Sequence, residues 1–238
     1  MFSVAIAVFR CAEAIDFLSA RLASRSPTRI AFANANLLNM AYGDSDLSRL
    51  LNGFVILNDG TGVNLASRVL YGSPFPENLN GTDFCPAFFD RHEIPLRIFL
   101  LGGRPDIVER AAGVVAARWP MHVVAGYHHG YFNRRESVGI RERIALSRSD
   151  VVLVAMGNGR QERIVDELVP ACAPLGLGVG ALFDFLAGEV SRAPSPLRKV
   201  GAEWLYRLAV EPGRLWRRYL LGNPVFLWRV LLQRLVSQ

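Results

Sequence analysis

Asp59 is the carboxylate of this 238-residue chain that is best placed for acid–base chemistry, because it opens a glycine-rich turn, Asp59-Gly60-Thr61-Gly62. It follows a short apolar run, so the side chain is expected where a buried strand ends. A carboxylate held there in a partly desolvated cleft suits a general base. The same position also fits a cap of the next helix, which is expected to begin near Thr61 or Gly62. Residue type and spacing leave both roles open.

Polar or glycine-rich segments follow three further apolar runs, at 34–36, 102–104 and 156–162. Glycines allow a ligand to approach the backbone closely, and the N-termini of the helices that follow favour negative charge. Together the segments suit a diphosphate, although each one alone fits an ordinary tight turn between a strand and a helix. The patterns match neither the GxGxxG fingerprint of dinucleotide-binding proteins nor the phosphate-binding loop of NTPases.

Two short segments resemble parts of metal sites. His128 and His129 lie on a predicted loop, where adjacent histidines lack nearby side chains to complete a coordination shell. Asp44-Ser45-Asp46 resembles an acidic DxD motif. It overlaps the start of a predicted short helix, 46–51, and therefore fits the capped start of that helix better. We therefore expect no metal ion.

Short apolar runs alternate with longer helical patterns, which is typical of βαβ units and a parallel sheet. The predicted strands are 3–9, 29–33, 54–57, 96–101, 122–125, 151–155 and 177–180, and two clear helices are 105–117 and 136–147. We predict an α/β fold with a Rossmann-like, mostly parallel sheet flanked by helices. Ligands bind such sheets beyond the carboxyl ends of the strands, so the polar segments should converge on one cleft.

Basic residues are concentrated at the end of the chain. Residues 191–238 contain nine basic and two acidic side chains, a net charge of +7, which leaves −1 for the rest of a chain whose total is +6. Prolines at 194 and 196 break regular structure, so we predict one domain over 1–193 and a helical basic appendage over 194–238. The predicted helices of the appendage are 197–210, 212–221 and 223–235.

Arginines 214, 217 and 218 share one predicted helix face beside Trp216. An amphipathic helix rich in arginine and tryptophan is typical of proteins that lie on a membrane surface. A solvated basic face, with the tryptophans in the core, or a nucleic-acid contact would give a similar pattern.

Other features bear on the cellular compartment. The widely separated Cys11, Cys85 and Cys172 lack the spacing of a metal site and are expected as thiols in a reducing cytoplasm. Arg10 interrupts the N-terminal apolar run, which no basic residues precede, so we expect a strand and a helix rather than a signal peptide. No run approaches the ~20 apolar residues of a membrane-spanning helix. We expect a protein of the cytoplasmic side.

A series of motifs in fixed order resembles the WecG/TagA/CpsF glycosyltransferases along nearly the whole chain. The motifs are Asn34-Ala35-Asn36, Asn58-Asp59-Gly60-Thr61-Gly62-Val63, Asn80-Gly81-Thr82-Asp83, Leu101-Gly102-Gly103, Gly130-Tyr131-Phe132, Ala155-Met156-Gly157 with Gln161-Glu162, and Arg192-Ala193-Pro194 with Glu203-Trp204-Leu205-Tyr206-Arg207. Because the order extends into the basic tail, the resemblance is far more specific than any single motif.

The resemblance implies an inverting, metal-independent glycosyltransferase without a cofactor. It would move a hexose or N-acetylhexosamine from a UDP-sugar to an undecaprenyl-diphosphate-linked sugar in exopolysaccharide or cell-wall polymer synthesis. Residues 1–193 would be the catalytic domain, and 194–238 would dock the enzyme as a peripheral protein on the inner face of the bacterial cell membrane.

The resemblance also assigns residues to roles. Asp59 matches the proposed base of the family. The donor-binding residues are expected to be Asn34, Gly102, Gly103, Tyr131, Met156, Gly157, Gln161 and Asp184, and the acceptor- or diphosphate-binding residues Arg207, Arg214 and Arg217.

Two positions depart from the family pattern. Phe32 stands where many members have threonine, and Asn78 stands where many have an arginine that would help to hold a diphosphate. Two other functional classes remain as alternatives. A membrane or nucleic-acid adaptor would explain the tail but not the glycine-rich turns, and a nicotinamide-dependent oxidoreductase would explain the sheet but lacks the dinucleotide fingerprint. The residues do not identify the transferred sugar, and a homo-oligomer is compatible with the apolar tail.

Overall fold

Parallel strands form the centre of the protein in the computed structural model, which describes residues 1–194, 196–197 and 201–236. The strands are β1 (Thr28–Ala33), β2 (Val55–Asn58), β3 (Arg97–Gly102), β4 (Val123–His128), β5 (Val151–Ala155) and β6 (Leu175–Gly178). They form one six-stranded sheet in the order β2-β1-β6-β5-β3-β4, and every neighbouring pair is parallel. The predicted α/β class and parallel sheet are confirmed.

Helices cover both faces of the sheet. They are α1 (Cys11–Ala23), α2 (Ala35–Gly43), α3 (Ser45–Leu51), α4 (Thr61–Tyr71), α5 (Gly81–Arg91), α6 (Pro105–Arg118), α7 (Arg134–Leu146), α8 (Arg160–Leu168), α9 (Leu182–Leu186), α10 (Glu203–Val210), α11 (Pro212–Trp216) and α12 (Asn223–Val236), with a π-helical segment at Arg217–Gly222 between the last two. Within the described ranges, no helix combines the length and apolar character needed to cross a membrane.

Two hydrophobic cores explain why the strands are apolar throughout. Alternate residues of a strand point to opposite faces, so Ile98 and Leu100 enter the core formed with α1, α5, α6 and α9, whereas Phe99 and Leu101 enter the core on the other face. A parallel sheet covered on both faces needs apolar side chains in both directions. This requirement accounts for β5, in which all five residues are buried.

The segment 3–9 was predicted as a strand, and this prediction is wrong. Phe2 and Ser3 adopt left-handed backbone conformations with φ of 50° and 65°, which turn the chain. The segment then lies beside β2 with a backbone hydrogen bond from Ala7 N to Ile56 O (2.8 Å). Packing explains part of its apolar character, since Val4 belongs to the core shared with α12 and Ile6 packs against that core.

The last helix of the tail packs against the body of the protein. Phe226 and Val230 of α12 are 1% exposed and belong to the core that contains α2 and α4. Arg229 donates from Nη1 to the side-chain oxygen of Asn39 (2.9 Å), and Asn39 donates from Nδ2 to Gly222 O (2.7 Å). The division into 1–193 and 194–238 stays a prediction, but α12 shares the core of the body.

The tail helices differ in detail from their predicted bounds. The predicted helix 212–221 is α11 followed by the π-helical segment, and 223–235 corresponds closely to α12. Of the predicted helix 197–210, residues 198–200 lie outside the described residues, and α10 accounts for the rest from Glu203 onward.

Candidate active site

A cleft of about 1700 Å³ lies at the carboxyl ends of the strands, where the tail covers it. It is lined by the segments that follow all six strands, and by residues of α10, α11, the π-helical segment and α12. The convergence expected from parallel topology is observed, because neighbouring strands end in register, as in the pairs Ala33–Asn58 and Gly102–Ala155. Single-ligand pockets are typically ~300–1,000 Å³, so this cleft has room for two substrates.

Asp59 lies in this cleft directly after β2. Its backbone N–H donates to Ala33 O (2.8 Å), which extends the β1–β2 ladder by one residue and fixes the start of the turn. The N-cap of α4 is Gly60, with φ of 93° and no side-chain cap. Asp59 therefore does not cap the next helix, and its carboxylate accepts a hydrogen bond from Asn34 Nδ2 (3.1 Å) instead.

Burial is the main influence on the Asp59 carboxyl group. Although part of the residue remains accessible from the cleft, the carboxylate is deep enough that desolvation raises its pKa. The hydrogen bond from Asn34 and then the positive charges of Arg218 and Arg207 lower the pKa, but less strongly, and Asp83 adds a small increase. A buried carboxylate with a raised pKa, held by one amide, suits proton transfer.

Asn78 and Phe32, the two residues that depart from the family pattern, both have structural roles in the cleft. Asn78 lines the cleft and accepts a hydrogen bond from Gly60 N on its Oδ1 (2.7 Å), so it supports the turn that carries Asp59. Phe32 fills the floor of the cleft against Gly81, where a Cβ atom would lie 3.1 Å from its ring. Neither residue supplies a positive charge or a hydroxyl group.

Gly102 and Gly103 have different structural roles: one allows two strands to pack closely, and the other lines the cleft. Gly103 lines the cleft. Gly102 has φ of 133°, and a Cβ atom there would lie 2.2 Å from Ala155 O. Glycine is therefore required at 102 because the backbones of β3 and β5 pack closely, and this residue is not among those lining the cleft.

Gln161 and Glu162 at the start of α8 are almost fully buried. Gln161 donates from Nε2 to Gly178 O (3.0 Å) and to Glu162 Oε1 (2.9 Å), and its Oε1 accepts from Gly180 N (3.0 Å). Glu162 closes a capping box on Gly159, and burial raises its pKa. Gln161 thus borders the cleft while joining α8 to the end of β6.

The remaining predicted donor-binding residues line the cleft. They are Asn34, Tyr131, Met156, Gly157 and Asp184. Asn34 comes from the turn after β1, Met156 and Gly157 come from the turn after β5, and Asp184 comes from α9. Tyr131 is 68% exposed at the rim of the cleft.

Two arginines lie over the ring of Phe185. The guanidinium carbons of Arg207 and Arg192 are each 5.3 Å from the ring centroid. Arg192 also donates from Nη2 to Thr82 Oγ1 (2.7 Å), which connects the segment just before the tail to α5. Arg207 forms an ion pair with Glu211 (3.4 Å). Phe185 thereby holds Arg207 at the edge of the cleft.

The tail arginines predicted from the sequence are not all in the cleft. Arg207 lines it, whereas Arg217 is exposed, does not line it and lies over Trp216 at 5.3 Å from the ring centroid. The side chain of Arg214 lies outside the described part of the structure. Arg218 lines the cleft and was not among the predicted site residues. The signal for it was present in the shared helix face of the three arginines.

The two segments that resemble metal sites, 44–46 and 128–129, form hydrogen bonds within the protein. Asp44 caps α3 by accepting from Asp46 N (3.0 Å) and Leu47 N (2.9 Å), as predicted, and its other oxygen binds Arg163 (2.7 Å). His128 is hydrogen-bonded through Nδ1 to the backbone oxygen of His129 (2.8 Å). Among the described residues, no group of three or more candidate ligands could hold a metal ion.

Comparison with known protein families agrees with this geometry. The family model described as "Glycosyl transferase WecG/TagA/CpsF family" matches residues 1–238, the full length of the sequence. The match includes the turn that carries Asp59, the buried Gln161–Glu162 pair and the tail that covers the cleft. The chain therefore belongs to the WecG/TagA/CpsF family of glycosyltransferases, which act in the synthesis of surface polysaccharides.

Proposed function

We propose that this glycosyltransferase is inverting and metal-independent, and that it moves a hexose or N-acetylhexosamine from a UDP-sugar to an undecaprenyl-diphosphate-linked sugar. The observation that carries the proposal is the desolvated carboxylate of Asp59, which lies beside glycine-rich turns in a cleft large enough for both substrates. The product would enter exopolysaccharide or cell-wall polymer synthesis.

In this mechanism Asp59 is the general base. The acceptor hydroxyl oxygen attacks the anomeric carbon of the donor while its proton passes to the Asp59 carboxylate. The bond from the anomeric carbon to UDP breaks on the opposite face, so one displacement inverts the configuration. The raised pKa of Asp59 favours this role because it brings the carboxylate closer to the pH at which the enzyme works.

Backbone amides would stabilise the departing diphosphate. The turn after β5 presents Gly157 to the cleft, where a phosphate oxygen could reach its N–H without side-chain obstruction. Gly103 lines the cleft as well, but its own N–H donates to Ala155 O (3.0 Å), so Gly103 gives space to the phosphate and not a donor. Preorganised donors of this kind stabilise charge that develops in the transition state. No residue of the cleft is assigned to a metal in this scheme.

The tail would place the enzyme on the inner face of the cell membrane. α12 exposes Leu227, Trp228, Leu231 and Leu235, and the π-helical segment exposes Leu220 and Leu221. These exposed apolar residues belong to a segment, 191–238, whose net charge is +7, and this combination suits anionic lipid. Docking there would bring the cleft to a lipid-linked acceptor.

A transfer assay tests the reaction. The purified full chain is incubated with a panel of UDP-sugars and an undecaprenyl-diphosphate-linked acceptor, and product and free UDP are measured with and without EDTA. We expect Asp59→Asn to lower kcat by about 10²- to 10⁴-fold, the range typical of general bases. Near-normal transfer by this variant would refute the base assignment, and activity abolished by EDTA would refute metal independence.

Vesicle sedimentation tests the membrane role separately. Trp228→Ser together with Leu231→Ser should reduce binding to vesicles that contain phosphatidylglycerol, whereas Leu146→Ser, at an exposed apolar residue of α7, serves as the matched control. Equal sedimentation of all three proteins would argue against docking through α12.

A further inference from the structure

The adjacent arginines of the π-helical segment lie in different environments. Arg217 is exposed, with its guanidinium over Trp216. Arg218 is half-buried and lines the cleft. The two arginines carry the same charge and are adjacent in the sequence. The direction of each side chain therefore decides which of them can contact a ligand in the cleft.

Several contacts hold Arg218 in place. Leu215, one turn earlier, is 3% exposed, and Gly222 at the end of the segment accepts a hydrogen bond from Asn39 (2.7 Å). Tyr219 packs edge-on against Trp204 of α10, with ring centroids 5.9 Å apart. Between these anchors the helix follows the wider π pattern, in which bonds run from residue i to i+5. Such π segments are frequent at functional sites.

The charge of Arg218 is not neutralised by a neighbour. Arg207 is paired with Glu211, but Arg218 has no hydrogen bond or ion pair with any residue in the described part of the chain and packs over Tyr219 at 5.6 Å. Asp59 takes its hydrogen bond from Asn34, and Arg218 acts on it only through charge. A half-buried guanidinium that lacks a partner is ready to bind an anion.

We propose that Arg218, rather than Arg217, binds a diphosphate in the cleft that the glycine-rich turns also line. The proposal rests on the proposed glycosyl transfer and names the tail residue that takes part in it. A guanidinium group matches phosphate oxygens with two parallel N–H donors. The diphosphate belongs either to the UDP of the donor or to the undecaprenyl-linked acceptor, and both present the same chemistry to Arg218.

Binding measurements on the full-length protein distinguish the two sources. The probes are UDP, measured by calorimetry, and undecaprenyl diphosphate in detergent micelles, measured by the change in tryptophan fluorescence. The variants are Arg218→Ala, Arg218→Lys and Arg217→Ala, with Arg68→Ala, an exposed arginine of α4, as the control for the loss of one positive charge. Thermal unfolding shows whether each variant is folded.

We expect Arg218→Ala to weaken one probe by about 10- to 100-fold, the usual effect of losing a charge-assisted hydrogen bond. Arg218→Lys keeps the charge but not the paired donors, so it should recover only part of the affinity. A loss confined to UDP assigns the donor diphosphate, and a loss confined to undecaprenyl diphosphate assigns the acceptor.

Other outcomes overturn the inference. If Arg218→Ala binds both probes as the wild type does, or if Arg217→Ala loses more affinity than Arg218→Ala, Arg218 is not the binding residue. If the wild-type protein binds neither UDP nor undecaprenyl diphosphate, the proposed function itself is refuted. The two failures are therefore distinguishable.

Discussion

Asn34 connects the start of α2 to the carboxylate of Asp59. Its Oδ1 accepts from Leu37 N (3.1 Å), which caps the helix, while its Nδ2 donates to Asp59 Oδ2 (3.1 Å). The helix cap orients the amide, because only the oxygen can accept from Leu37 and the nitrogen must then face Asp59. A residue that looks like an ordinary N-cap in the sequence thus partly offsets the rise in the pKa of the candidate base that burial causes.

Asn34→Ser should separate these two contacts. Serine still caps α2, so the stability should change by less than about 1 kcal/mol, but its short side chain no longer donates to Asp59. Loss of that donor raises the Asp59 pKa further, so the acid limb of kcat/KM should move to higher pH. Asn34→Ala should show the same pH shift and in addition lose the cap. A pH profile unchanged in both variants would contradict this account.

Asp59→Asn should stabilise the folded protein at neutral pH. The folded-state pKa of Asp59 lies above its unfolded value, so the favourable contribution of the neutral group is complete below the unfolded pKa and is lost as pH rises through the folded pKa. Asparagine stays neutral and avoids this loss. Its thermal midpoint should exceed that of the wild type at pH 7, and the difference should shrink as the pH is lowered.

The matched change Asp46→Asn serves as a control, because Asp46 is an exposed carboxylate outside the cleft. It should not raise the midpoint at pH 7. If Asp59→Asn and Asp46→Asn have equal midpoints at every pH, burial does not determine the behaviour of Asp59.

Gly102→Ala should destabilise the sheet. The new Cβ atom would lie 2.2 Å from Ala155 O, a contact with backbone that cannot rotate away, and φ is 133°. We expect the free energy of unfolding, measured in urea, to fall by about 1–3 kcal/mol. Gly139→Ala is the control: this glycine lies in α7 with open space around it, and alanine there should add about 0.5–1 kcal/mol. Equal effects at both positions would contradict the close packing of β3 and β5.

Phe185→Leu should lower activity by disturbing Arg207. Leucine keeps most of the apolar volume but removes the ring that two guanidinium groups cover. We expect a fall in kcat of about 3- to 30-fold, equivalent to the ~0.5–2 kcal/mol of such contacts. Phe185→Tyr retains the ring and should restore the rate. A leucine variant that changes only KM, or a tyrosine variant equally impaired, would argue against positioning of Arg207 through this ring.

Local patterns were sufficient for most of the sheet. β5 and β3 are continuous apolar runs, which indicate strands buried on both faces, and the proline at the start of α6 marks its first residue. The segment 3–9 is equally apolar but lies beside the edge of β2 without forming a strand, with Val4 in the core and Val8 68% exposed. An apolar run of this length therefore does not show by itself whether the segment forms a strand or which of its residues are buried.

Local patterns were less informative about the tail. The basic and aromatic face was recognised, but Phe226 and Val230 turn one side of α12 into core. The helix contains apolar residues on more than one face, so periodicity alone does not separate those that pack on α4 from those that remain exposed.

The sequence by itself determined the sheet, the turn that carries Asp59 and the family, because these depend on residue order and on short-range geometry. Only the tertiary structure decided that Asp59 is hydrogen-bonded to Asn34 rather than capping α4, and that Arg218 lines the cleft while Arg217 lies outside it. The physical reason is that both outcomes depend on contacts between distant segments. Asn34 and Asp59 meet because β1 and β2 end side by side, and Arg218 faces the cleft because Asn39 and Leu215 fix the π-helical segment between them.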